Sequence, residues 1–251
     1  MARQKGIIKL RGTIGDITFY KTQDGHLARE KGGIDADRIK NDPNFQRTRE
    51  NGAEFGRAGK AGKVLRTAFR SLSLNASDSR MASRLTQQMM KVIKADAVST
   101  RGLRNVLDGE TELLKGFDFN VQGKLGNTLY APFSSSIDRA AGSIDLEIPV
   151  FSPLTMLAAP EGTTHFKIVS AGAEVDFEAE SYVIGTSATE ILPWTAAPTD
   201  VISQSNEVTA ESTKPLFLVV GVEFYQEVNG AMYPLKNGSY NTLAIVNVSG
   251  M

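Results

Sequence analysis

The sequence predicts an α+β fold: a small N-terminal β-meander and a helical segment, followed by a C-terminal antiparallel β-sandwich, Ig-like or jelly-roll-like. Three observations carry that expectation. Up to about residue 115 apolar residues recur at helical spacing, and from Gly116 onward short runs rich in Val, Ile, Phe and Tyr alternate with turn residues. Charge divides along nearly the same line. Residues 1–110 hold 22 Lys and Arg against 12 Asp and Glu, a net +10, whereas residues 111–251 hold 6 against 16, a net −10. The 251-residue chain is neutral overall and 41% hydrophobic, enough to bury a sizeable core. The domains are therefore placed at 1–115, basic, and 116–251, acidic.

The meander comes first. Ile7 to Leu10, Ile14 to Lys21 and His26 to Lys31 cluster β-formers, separated by Gly12 and by Gln23-Asp24-Gly25, a hairpin turn. Alternation places Ile14, Asp16, Thr18 and Tyr20 on one face, with Ile17 and Phe19 on the other. So small a sheet buries too little to stand alone, so it must pack on the rest of the chain or on another subunit.

Asp42-Pro43 opens the helical segment, with Asp as N-cap and Pro at the first helical position. Phe45, Ala53, Phe55, Val64, Leu65, Ala68, Phe69 and Leu72 follow near helical spacing, up to Leu74-Asn75-Ala76-Ser77. Gly52, Gly56, Gly59 and Gly62 interrupt that helix and predict tight packing or a kink. A second helix opens at Ser77-Asp78, with Met81, Leu85, Met89, Val92 and Ile93 as its stripe, and a third spans about 100–114. Strands are then expected at 125–130, 143–149, 165–169, 173–184, 216–228, 231–235 and 243–248, with Asn229-Gly230 and Lys236-Asn237-Gly238-Ser239 as turns. The chain ends just after the last strand, which predicts a sheet edge available for pairing.

The motifs for chemistry are incomplete. Gly56-Arg57-Ala58-Gly59-Lys60-Ala61-Gly62-Lys63-Val64 lacks the first Gly and the final Ser or Thr of a phosphate-binding loop. Asp35, Asp37 and Asp42 approach a Ca²⁺-loop spacing, but Ile39 stands where a ligand is needed. His26 and His165 lie in separate domains, and there is no Cys, hence no disulfide, thiolate site or cysteine nucleophile. Asn75-Ala76-Ser77 and Asn247-Val248-Ser249 match the glycosylation pattern by chance. Nothing forms a nucleophile elbow. The chain is read as no enzyme, with no cofactor, no metal and no small-molecule substrate. The N-terminus carries no signal-peptide run, and the longest apolar stretch, 215–222, is far short of a bilayer span, so the expected location is cytoplasmic, with release by lysis or a non-classical secretion route.

What remains is a charge contrast. Glu174, Asp176, Glu178 and Glu180 alternate as if along one strand face, and Lys9, Arg11, Lys21, Arg29 and Lys31 stud the meander. These nine residues are the candidate assembly interface. The expected function is a structural protein that self-assembles into a filament, tube or shell, the basic N-terminal part of one copy docking on the acidic β domain of the next, with strand addition across an edge. The alternative is a nucleic-acid-associated or virion-type structural protein whose basic half faces the polyanion. A carbohydrate-binding sandwich is poorly supplied, because Trp194 is the only Trp.

The run Gly12-Thr13-Ile14-Gly15-Asp16-Ile17-Thr18-Phe19-Tyr20-Lys21, with Asp24-Gly25, Arg29, Lys31, Asn41-Asp42-Pro43 and Arg47, resembles the opening of bacterial domain-of-unknown-function families. The stretch 221–230, with Tyr233-Pro234-Leu235, resembles their closing part. The resemblance implies a basic hairpin, a helical segment and a C-terminal β domain, and implies no activity.

Overall fold

A computed structural model describes residues 1–30, 33, 34 and 36–250, excluding the side chains of Lys236 and Asn237. The chain divides into two compact units, Met1–Arg49 and Glu50–Met251. The expected boundary at 115/116 is thus displaced to 49/50. The reason is packing: the helical residues Ala58 to Ile93 share one apolar core with strand residues Ala171, Phe217 and Ile245, so helices and sheet cannot separate.

The first unit is a four-stranded antiparallel sheet in the order β1-β4-β3-β2, built from β1 (Ala2–Arg3), β2 (Gly12–Ile14), β3 (Ile17–Thr22) and β4 (Gly25–Glu30). The expected strand at Ile7–Leu10 is a loop instead, and Ile14–Lys21 is two strands. Gly15 at φ +55° starts a two-residue turn, so Ile14 pairs with Ile17. Cross-strand partners share a face, which moves Ile14 onto the side of Ile17 and Phe19 and away from Thr18 and Tyr20. Helix α1 (Ala36–Asn41) follows, then a 3₁₀ turn (Pro43–Phe45) capped as expected by Asp42, whose carboxylate accepts from the Asn44 N–H at 2.9 Å.

Helix α2 (Gln46–Ala68) begins in the first unit and continues into the second, where a short α3 (Arg70–Ser73) and α4 (Met81–Lys94) complete the helical layer. Of the four glycines in α2 only Gly62 is closely packed, 3.7 Å from Leu85 when a Cβ is placed on it; Gly52, Gly56 and Gly59 face open space. The stripe of α4 is buried as its spacing predicts. The third helix reduces to a 3₁₀ turn at Thr111–Leu114. Upstream the buried Asp96 carboxylate accepts from Val98, Ser99 and Asn105 N–H groups and holds a loop in place of helix.

The β layer contains α5 (Leu125–Thr128), β5 (Ser134–Asp138), β6 (Ser143–Ile148), α6 (Pro153–Met156), β7 (His165–Asp176), β8 (Ser181–Ala188), β9 (Leu192–Pro193), β10 (Ile202–Glu207), β11 (Leu216–Val228), β12 (Ala231–Pro234) and β13 (Thr242–Ser249). Segment 125–130 is therefore a helical turn, not a strand. One sheet runs β12-β11-β7-β8, with β13 also on β11 and β9 on β7; the other is β10-β6-β5. The larger sheet is a wall between two cores. Leu216, Leu218, Val220, Val222 and Phe224 face the small sheet with Ile144, Leu146 and Ile148, whereas Phe217 and Val219 face the helices. That double burial explains the unbroken apolar run of β11. The result is an α+β fold with a sandwich-like β part.

A polar clamp ties helix to wall. Arg84 on α4 donates to the carbonyls of Asp118 at 2.7 Å and Phe119 at 3.0 Å, pairs with Asp78, and stacks 5.2 Å from the Phe117 ring. Burial raises the Asp78 carboxyl, but the Val121 and Arg80 N–H groups and Arg84 outweigh it and hold it below the usual range. Segment 116–119 in turn covers β13, through Gly116 N–H to the Ile245 carbonyl at 2.7 Å and Phe119 N–H to that of Leu243 at 2.8 Å. The last strand is in a sheet to its end, as expected, yet the edge beside these residues is not open for pairing.

Candidate assembly surfaces

The basic residues of the first unit do not form one face. Lys21 pairs with His26 across β3 and β4, on the side of Ile17 and Phe19, whereas Arg29 pairs with Thr18 on the opposite side and lies 5.5 Å over the Tyr20 ring. Burial and then the fields of Lys21, Arg11 and Lys9 lower the His26 pKa. Lys31 lies outside the described residues. The basic set thus splits between the two faces of the sheet, with Lys21 on one and Arg29 on the other.

None of the described residues of the first unit is buried. Ile7 and Ile8 are 103% and 81% exposed, and Ile14 and Ile17 are also open. Ile7 and Ile8 crown the loop between β1 and β2. Gln4 closes that loop at its base: its Oε1 accepts from the Leu10 N–H at 2.8 Å, its Nε2 donates to the Leu27 carbonyl at 3.0 Å, and Lys9 Nζ returns to the Gln4 carbonyl.

The acidic comb is also rearranged. Strand β7 ends at Asp176, and Glu178 and Glu180 stand in the turn to β8, Glu180 at φ +53°. Asp176 is committed internally. It pairs with Lys214 at 2.7 Å and accepts from the Glu178 and Ala179 N–H groups, and Lys214 first among these holds its carboxyl below the ordinary range. Glu174 is half-buried, and Glu180 reaches Lys60 at 3.9 Å. Four carboxylates on one exposed strand face are thus reduced to two exposed ones at a hairpin tip. An acidic face that the spacing did not reveal lies on the small sheet. Asp138, Asp145, Glu147 and Glu207 point outward there among serines, because the inward positions of β6 and β10 alternate with them.

The most reactive-looking constellation is closed. The Tyr225 phenol donates to Glu223 at 2.7 Å, and burial and then that carboxylate raise its pKa; Asn75 donates to the other Glu223 oxygen at 3.2 Å. His165 accepts or donates to Thr164 at 2.9 Å and faces Glu227 at 4.0 Å. Among the described residues no group of three or more His, Asp or Glu is arranged to hold a metal ion. Of the Ca²⁺-like spacing, Asp42 is the helix cap and Asp35 lies outside the described residues. No described helix is long and apolar enough to cross a membrane.

A groove of about 460 Å³ opens on the second unit, lined by Leu192, Ala197, Pro198 and Val201 and by the polar Glu190, Thr195, Asp200 and Gln204. Its outer wall is pinned: the Leu154 N–H donates to Thr195, the Ser152 hydroxyl to Ala196, and the Thr199 N–H to Phe151, at 2.9–3.0 Å.

No protein-family model and no curated protein matches the chain. A solved structure from work on pH-induced modulation of Streptococcus parasanguinis adhesion by Fap1 fimbriae is similar at 12% identity, over 47% of this chain and 79% of that one, with a TM-score of 0.24. A likeness of that degree carries no argument about function.

Proposed function

We propose that this chain is a non-enzymatic structural protein that assembles with copies of itself, its first unit docking on the second unit of a neighbour. The observation that carries this reading is the first unit's lack of any buried residue among those described, beside exposed Ile7, Ile8, Ile14 and Ile17. A sheet with no core of its own is stabilised by burial against something else. Charge supports a neighbouring copy. Residues 1–49 hold 11 Lys and Arg against 6 Asp and Glu, a net +5, and residues 50–251 hold 17 against 22, a net −5. Lys9, Arg11 and Lys21 on one side, and Glu178, Glu180 and the outer carboxylates of the small sheet on the other, supply the complementary fields; Glu174 and Asp176 contribute less. The contact joins unlike surfaces, so it propagates as a filament or tube, or closes into a ring or shell. Electron microscopy with light-scattering mass on nucleic-acid-free protein tests this. Regular polymers that dissolve in high salt support it, and a monomer under all conditions overturns it.

The second reading, a nucleic-acid-associated structural protein, is favoured by the basic balance of the first unit, 11 Lys and Arg against 6 Asp and Glu in residues 1–49. Phosphate contacts would give retention on immobilised DNA that falls steeply with salt. Retention unaffected by Lys21→Glu and Arg11→Glu removes it.

A further inference from the structure

We infer that the Ile7-Ile8 loop of one copy seats in the groove lined by Leu192, Ala197, Pro198 and Val201 on a second copy. This rests on the self-assembly reading above and names its central contact. Two isoleucines exposed at 103% and 81% on a loop tip are the strongest apolar protrusion of the first unit. The loop does not dangle: Gln4 bonds to Leu10 and Leu27, so the tip is held out by a closed base and little entropy is lost on seating it. The groove answers in three ways. Its volume of about 460 Å³ admits two branched aliphatic side chains. Its lining is mixed, with Leu192, Ala197, Pro198 and Val201 supplying apolar surface beside the polar Thr195 and Gln204, and the bonds from 151–154 to 195–199 hold that wall in place. Its lining includes Glu190 and Asp200, both exposed, which complement the charge of the Lys5 and Lys9 that flank the isoleucines. An apolar tip flanked by two lysines thus meets a groove that offers apolar surface and two carboxylates. Because knob and hole are different surfaces, each copy that fills a groove presents a loop to the next.

The absence of cysteine makes the test clean. Full-length Ile8→Cys and Val201→Cys are purified separately, mixed, and oxidised with diamide. The expected result is a disulfide-linked heterodimer in the mixture, well above the homodimer formed by either variant alone. In parallel, a variant carrying Ile7→Asp and Ile8→Asp raises the concentration needed for assembly at least ~tenfold, with an unchanged circular dichroism spectrum. Wild-type protein that assembles while the mixture gives no heterodimer, or while the double variant assembles normally, overturns this contact and leaves self-assembly standing. Wild-type protein that stays monomeric at every concentration overturns both.

Discussion

Replacing Arg84 with Ala removes the clamp between α4 and the wall and is expected to destabilise the second unit by ~3 kcal/mol. The guanidinium makes two bonds to carbonyls and one to Asp78, and charge-assisted bonds contribute ~1.5–3 kcal/mol each. Removing one member of a buried pair costs about 3–5 kcal/mol, but the Arg84 side chain is 29% exposed and the Asp78 side chain 12%, so water recovers part of the loss. The lower end of that range is therefore expected. Arg84→Lys keeps the charge yet cannot serve both carbonyls and the carboxylate in one plane, and should lose ~2 kcal/mol. Asp78→Ala should cost about as much as Arg84→Ala, and the double variant little more than either, leaving a coupling of at least ~1 kcal/mol. Urea titration followed by circular dichroism measures these values, and a fall in Tm of roughly 6–12 °C accompanies the Ala variant. An Arg84→Ala protein within ~0.5 kcal/mol of wild type, or strictly additive single variants, would refute the clamp.

Phe217→Ala, at a fully buried site between wall and helices, should cost ~3–5 kcal/mol in thermal denaturation, whereas Ile17→Ala on the open sheet should change stability by no more than ~0.5 kcal/mol. Gly172→Val should cost about 1–3 kcal/mol, because a Cβ there sits 2.9 Å from that of Asn206 and 3.0 Å from Ile144, between the two sheets; an unchanged urea midpoint would contradict that close approach. In acid, Asp78, Asp96 and Asp176 have folded-state pKa values below the ordinary 3.8, so their contribution is complete above that pH and is lost as pH falls through the lowered values; Asp78→Asn should flatten the acid limb of a stability-pH curve. Asp118 runs the other way. Burial raises its pKa, so Asp118→Asn should stabilise the protein at pH 7, an advantage that shrinks as pH falls through the raised value and is gone below 3.8.

The legible parts of the fold were those where one physical signal dominates. The Asp42-Pro43 start, the stripe of α4 and the Asn229-Gly230 turn each rest on local chemistry, and Asn229 and Gly230 adopt φ values of +52° and +78° as that turn requires. Strands β5 and β10 are weak in the sequence because their exposed positions are Ser, Asp and Glu, and in β10 only the partner sheet makes Ile202, Gln204 and Asn206 an inner face. The meander's sidedness depends on one turn at Gly15-Asp16, which alternation does not show and which inverts everything before it. For the interface, sequence showed how much charge there was and not where it was spent. Lys214 takes Asp176, while Glu178 and Glu180 stand in a turn off the strand, and Arg29 lies on the far face from Lys21. The Ile7-Ile8 tip was visible as β-formers, but its protrusion depends on Gln4, a contact no periodicity reveals.

Strand β11 raises a problem of addressing. A strand with one wet face carries its own register in its pattern, since a slip by one residue drowns the apolar set. Leu216 to Val222 is apolar on both sides, so a slipped copy would look equally greasy to either core. The index marks are instead the few non-generic positions beside it. The Thr242 hydroxyl accepts from the Val222 N–H at 2.9 Å, the Asn241 amide oxygen accepts from Phe224 at 3.0 Å, and Gly221 leaves a gap for the Thr242 carbonyl, which a Cβ would meet at 2.4 Å. Two polar side chains and one missing methyl thus act as notches on an otherwise unmarked ruler, and the alignment of the whole wall is read from them.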